Sequence, residues 1–174
     1  RHFLLIFTLT KESLKNLYEQ FEKGLVHKKY IAVLDGILEN AKGNNAPGKS
    51  IICGQMELKF RLDVNNRPYQ IYDEINGKIG ITEWKKEGTI LYKNPFSEES
   101  KRCTIVSFIP HTGRTHQLRL ASSDIHGFGL PIVGDSLYGE CKKGERLLLH
   151  SSEVEFFHPV SGKKLKFTSK PDFI

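Results

Sequence analysis

Residues 110–139, PHTGRTHQLRLASSDIHGFGLPIVGDSLYG, constrain this chain more than any other stretch, because two glycine-bearing turns bracket side chains that carry charge or hydrogen-bond. A turn at His111, Thr112 and Gly113 opens it. Arg114, Thr115, His116, Gln117 and Arg119 follow in quick succession, and Gly134, Asp135, Tyr138 and Gly139 close it. A strand ending at Ile109, a Pro/Gly turn and Thr115 as N-cap predict a short helix, with Arg114 and Arg119 near its start and His116 and Leu120 one turn apart. Basic side chains and free N–H groups at such a place suit an anion. On these grounds two readings stand level: an anion site, or solvated arginines with His116 and Gln117 satisfying buried backbone groups.

The chain on either side supplies the frame. Residues 3–9, FLLIFTL, read as a buried strand, too short to span a bilayer and without the length and cleavage region of a signal peptide. Thr10 caps a helix with Glu12 in its first turn, and Leu14, Leu17, Tyr18 and Phe21 form a stripe predicted to face the core. Residues 30–34 within KKYIAVLDG read as a strand, and residues 40–49 as a loop. Further strands are predicted at 51–53, 56–62, 79–84, 89–92 and 103–109, with turns at Asn65-Asn66 and Asn76-Gly77, the second a hairpin marker. Residues 97–100 read as a solvated turn. Segments 147–150, 154–157 and 165–167 complete the set, the last two joined by a hairpin around Val160-Ser161-Gly162. Many short strands with two helices predict a single α+β domain over residues 1–174, with a mixed, mostly antiparallel sheet and few helices.

Bulk properties narrow the function classes. With 174 residues, 39% of them hydrophobic, the chain can bury one proper core. A net charge of +6 suits a polyanionic partner. Cys53, Cys103 and Cys141 show no paired spacing, so neither a disulfide framework nor a zinc site is expected, and a reducing, cytoplasmic compartment is. His111, His116, Asp124 and His126 match no metal-ligand spacing, so no metal is expected, and with no continuous apolar run long enough to span a bilayer no membrane is expected either. A His-dependent hydrolase lacks a serine or cysteine in a recognisable elbow.

GRTHQLRL followed by LPIVGDSLYG resembles the RluA-type family of pseudouridine synthases, in which G-R-T-H-Q-[IL]-R precedes P-I-x-G-D-x-x-Y-G. KKYIAVLDG resembles the family's K-x-Y-x-A-x-V-x-G strand, and Gly77, Lys78, Thr82 and Trp84 fit its G-K-x-x-x-T-x-[WY] segment. Residues 147–151 and 158–162 fit the closing L-x-L-H-[AS] and H-P-x-[ST]-G pieces. The resemblance implies cofactor-free isomerisation of uridine in RNA, ribosomal or transfer: the glycosidic bond is cleaved, the uracil turned and rejoined through carbon. It implies that Tyr30 stacks on the uracil and that Arg119 pairs with the catalytic aspartate. Arg114, Thr115, His116 and Gln117 would form the RNA-facing turn. Asp135 and Tyr138 would brace the fold, and His150 and His158 would be structural.

The family's nucleophile lies in H-R-L-D-x-x-T-S-G, and aligning FLLIFTLTK with the family's L-L-L-F-A-K-T strand puts that aspartate upstream of Arg1. Asp35 and Asp135 occupy other family positions. The chain alone is therefore expected to be inactive. Three explanations stand: a fragment of a normal enzyme, a piece that pairs with a separate N-terminal segment, or a relative that binds RNA without catalysis. Retention of Tyr30 and Arg119 favours the first.

Overall fold

In the computed structural model, which describes residues 4–48, 51–94, 98–141 and 145–174, seven strands form one sheet. They are β1 (His27–Leu34), β2 (Cys53–Leu62), β3 (Gln70–Tyr72), β4 (Lys78–Lys93), β5 (Ser100–Pro110), β6 (Leu149–Phe157) and β7 (Lys164–Thr168). Their order is β3-β2-β4-β5-β1-β6-β7, and every pairing is antiparallel. The α-helices among the described residues are α1 (Lys11–Glu22) and α2 (Gln117–Ser123), with a short 3-10 turn at Leu38–Asn40, so the α+β class expected from the sequence holds. No described helix is long and apolar enough to cross a membrane.

Alternation along the strands decides where the core lies. Ala32 and Leu34 of β1, Met56 and Leu58 of β2, Trp84 of β4 and Val106 and Phe108 of β5 share one buried cluster. Leu118 and Leu120 of α2, together with Phe128 and Ile132, cover it. Trp84 meets the Phe128 ring edge to face at 5.2 Å. This packing holds α2 against the sheet and sets the height of the turn before it.

Several predicted pieces join. Segments 79–84 and 89–92 are one strand, β4, because a bulge between Lys86 and Gly88 lets the ladder to β5 continue past an extra residue. Segments 51–53 and 56–62 give β2 from Cys53 onward, and 147–150 and 154–157 give β6 from Leu149. The hairpin around Val160-Ser161-Gly162 does join β6 to β7. Asn76-Gly77 is a turn but not a hairpin, since β3 and β4 lie on opposite sides of β2. Asp73 shapes that turn, its Oδ1 accepting the N–H groups of Ile75 (3.0 Å) and Asn76 (2.9 Å).

Three local expectations are corrected. Residues 4–9 join no strand of the sheet; Leu4 and Ile6 rest on the Leu17, Val26, Val154 and Phe156 cluster while Leu5, Phe7 and Leu9 are exposed. Phe3, Lys49 and Ser97, which began or ended other predicted segments, lie outside the described residues. Thr10 caps α1 as expected, its Oγ1 accepting the Ser13 N–H at 3.2 Å, yet of the predicted stripe only Leu17 is buried, and Leu14, Tyr18 and Phe21 are exposed. The N-cap of α2 is His116, not Thr115.

Candidate active site

The bend entering α2 is built around Gln117, whose side chain is buried and fully engaged. Its Oε1 accepts the Arg114 N–H (2.9 Å) and the Thr112 hydroxyl (2.8 Å), and its Nε2 donates to Ile81 O and Thr82 Oγ1, both at 3.0 Å. Thr112 Oγ1 in turn accepts the Ile81 N–H. These bonds fasten the turn to β4 and leave His116 at φ 53°, the one described non-glycine residue with positive φ. A left-handed residue of this kind costs about 1–2 kcal/mol and persists where its surroundings over-determine it.

Across from this turn, Gly134 carries φ 71°, and a Cβ there would stand 2.0 Å from Arg146 O, so only glycine lets the two backbones meet. The chain that follows presents Asp135, fully buried, to Arg119. Arg119 Nε donates to Asp135 Oδ2 at 2.9 Å and Nη2 to Oδ1 at 2.5 Å, a bidentate pair. Oδ1 also accepts the N–H groups of Leu137 (2.9 Å) and Tyr138 (3.0 Å). Burial works against ionisation of Asp135, but Arg119 and those two N–H groups outweigh it and hold the carboxyl below its ordinary range.

Tyr138 links this pair to His116. Its ring lies under the Arg119 guanidinium at 5.2 Å, its Oη accepts the Gln70 N–H at 2.7 Å, and the same oxygen is 2.9 Å from His116 Nδ1. One hydrogen bond between the hydroxyl and Nδ1 thus joins the turn to the Arg119–Asp135 pair. Burial, then the nearby Arg119, push the imidazole below its ordinary pKa against the pull of Asp135. The neutral imidazole is thereby favoured over the cation.

The cleft between these walls has a volume of about 690 Å³, within the range of small-molecule sites. Tyr30, Arg114, His116, Gln117 and Arg119 all line it, so the structure brings together five of the six site residues expected from the sequence. Thr115 lies instead in an adjoining groove. Tyr30 stands on β1 between Phe108 and Ser151. Burial raises its phenol above the ordinary pKa, with a Ser151 hydrogen bond opposing, so the ring stays protonated. Lys28 also lines the cleft, with its ammonium lowered in pKa by burial. Its signal was present in the sequence: two residues before Tyr30, it shares that strand face. The relay through Tyr138 had no sequence signal, because the Gln70 N–H reaches it from β3.

The sequence profile of the family described as RNA pseudouridylate synthase matches residues 4–124. The chain belongs to that family. Within it the chain is similar to the dual-specificity RNA pseudouridine synthase RluA of Haemophilus influenzae, 33% identical over 98% of this chain and 68% of that protein. It is likewise similar to the tRNA pseudouridine synthase C of Haemophilus influenzae, at 29% identity over 97% of this chain and 69% of that protein. The ribosomal large subunit pseudouridine synthase C of Buchnera aphidicola is 31% identical, and the chain spans 47% of its length. These relatives place the chain with the RluA-type pseudouridine synthases. Among solved structures, human RNA pseudouridylate synthase domain containing 1 superposes with a TM-score of 0.72 at 23% identity, covering 95% of this chain and 63% of that one. That likeness shows the pseudouridylate synthase fold.

Proposed function

We propose that this chain takes part in isomerising uridine to pseudouridine in ribosomal or transfer RNA, and that it supplies the wall of the site that receives the flipped uridine. The observation that carries this reading is the Arg119 guanidinium, fixed by buried Asp135 in the cleft that Tyr30 lines. Asp135 engages Nε and one Nη2 proton, which leaves the Nη1 edge to meet a second carboxylate and keep it ionised. That carboxylate is the nucleophile of the family's H-R-L-D-x-x-T-S-G element, which does not occur in the 174 residues and is proposed to come from outside them. Tyr30 offers a ring on which an unstacked base recovers stacking. Gln117 and Asp135 act through the residues they hold, whereas Arg114, Thr115 and His116 face the RNA. The reaction balances without a cofactor: the N1–C1′ bond breaks, the C5–C1′ bond forms, and a proton lost from C5 is matched by one gained at N1. The free cysteines among the described residues accord with a cytoplasmic setting.

The test is uridine conversion in cellular RNA by the chain joined to an upstream segment carrying H-R-L-D-x-x-T-S-G. Conversion is expected, with Arg119→Gln lowering the rate about 10²–10³-fold, as for loss of a fixed electrostatic donor. A rate unchanged by Arg119→Gln sinks the assignment. A second reading, a non-catalytic RNA-binding module, is favoured by one observation: the carboxylate that engages Arg119 among the described residues is Asp135, which is spent on structure. It predicts salt-dependent RNA binding and no product even with that segment present.

A further inference from the structure

Beside the cleft, between the β2–β3 hairpin and residues 113–115, lies a groove of about 600 Å³ that Arg114 and Thr115 border and whose other residues the uridine reading does not use. Phe60, Leu62 and Pro68 give it an apolar floor, and Arg67, Lys78 and Arg114 line its sides. Among the described residues, no acidic side chain lines it. Basic residues elsewhere on the sheet are mostly neutralised: Lys164 pairs with Glu155, Lys166 with Glu153 and Lys101 with Asp35. Arg67, Lys78 and Arg114 form no such ion pair with any described residue. Three uncompensated cations in one groove repel one another, and a polyanion relieves that repulsion.

The groove and the cleft share a wall, Gly113 and Arg114. Arg114 is not a loose surface side chain. Its Nε donates to Ile79 O at 2.8 Å, and its stem crosses Gly80, where a Cβ would come within 3.3 Å of Arg114 Cγ and 2.4 Å of the Phe60 ring. The guanidinium is thereby held on the saddle between the two hollows. On the cleft side, the Lys28 ammonium lies 3.9 Å from where a Gly113 Cβ would stand. The cations thus run from Lys28 over Arg114 to Lys78 and Arg67. The far wall of the cleft carries Glu145 and Arg146, and Arg146 is already paired with Asp172 at 2.5 Å, so that side offers a phosphate fewer uncompensated cations than the groove does.

We propose that this groove is the track of the RNA strand flanking the target uridine, which leaves the cleft over Arg114 with its phosphates against Lys78 and Arg67. The proposal rests on RNA being the substrate, since a flipped nucleotide stays bonded to its neighbours and the strand must exit somewhere. An acidic peptide has no such tie to the cleft.

The experiment measures binding of a short single-stranded uridine-containing RNA at several salt concentrations to the chain, to Arg67→Gln/Lys78→Gln, to Arg114→Gln and to a control, Lys163→Gln/Lys170→Gln. For single strands the slope of log K against log salt shrinks by about 0.7 for each phosphate that is no longer neutralised, so in the groove double variant it should shrink by about 1.4, with no change in the control. A uridine dinucleotide, too short to reach the groove, should bind the chain and the groove variant equally. A slope unchanged in the groove variant but reduced in Arg114→Gln overturns the track and leaves the RNA reading standing. RNA binding that no variant alters also overturns the track, and no binding of RNA at any salt concentration overturns the RNA reading itself. Equal competition by polyglutamate overturns the choice of RNA over an acidic peptide.

Discussion

Helix α1 runs for twelve residues and buries Leu17 and Gln20, whereas α2 runs for seven and buries five. The longer helix obeys local rules, with a threonine cap and an acidic first turn, and docks through Gln20, which exchanges hydrogen bonds with the Phe157 backbone at 2.7 and 2.8 Å. The shorter one begins at a residue in a left-handed conformation without a side-chain cap. What holds it is tertiary: Gln117 to β4, Arg119 to Asp135, and Leu118 and Leu120 to the core. The lesson is that the helix with weak local signals carries the site, because its geometry is dictated from outside and can be fixed at the cost of its own comfort.

That contrast breaks most directly at Asp135. Asp135→Ala leaves the largely buried Arg119 without its partner and should cost about 3–5 kcal/mol in denaturant unfolding. A loss below about 1 kcal/mol would mean that α2 is not anchored there. Gln117→Ala strands donors and acceptors in the turn and should cost about 1–3 kcal/mol, measured the same way.

A pH test sharpens the same side. The folded His116 has a lowered pKa, so between that value and about 6.5 the unfolded chain binds a proton that the folded chain refuses. Stability should therefore fall as pH drops below about 6.5, by at most about 1.4 kcal/mol per pH unit from this group. Comparison with His116→Gln isolates it, and parallel curves for the two proteins would refute the neutral imidazole. On α1 the effects shrink: Thr10→Ala should cost about 1 kcal/mol through the lost cap. Smallest of all, Leu14→Gln and Tyr18→Gln should each stay within about 0.5 kcal/mol, since both side chains are exposed.

How far the sequence could be read follows the same division. Strand character in residues 30–34 and 103–109 was legible because alternation and β-branching are local properties. The merging of β4 across Glu87 was not, since a bulge is specified by the partner strand β5. The α1 stripe had the right spacing and the wrong destination: periodicity reports which side chains share a face, not whether anything packs on it. At the site, the motif spacing brought Arg114, His116, Gln117 and Arg119 together, and Tyr30 joined them by resemblance. The surroundings of His116 and the orientation of Arg119 depend on Gln70, Tyr138 and Asp135, contacts between residues far apart in the chain.

The position of β1 has a consequence for how the chain reaches this structure. It is made first among the strands, yet its neighbours are β5 and β6, with Tyr30 opposite Phe108 and Ser151. Pairings between such distant segments pay their loop-closure entropy before any reward, and they form late. The three strands β3, β2 and β4, with β2 in the middle, have partners close in sequence and can assemble while β1 still waits with both edges open. We predict that pulse-labelled hydrogen exchange during refolding protects amides of β2 and β4 before those of β1, and the opposite order would refute this. The strand that carries Tyr30 would then be among the last to set, so the cleft that this ring lines would close into shape only when folding is nearly complete.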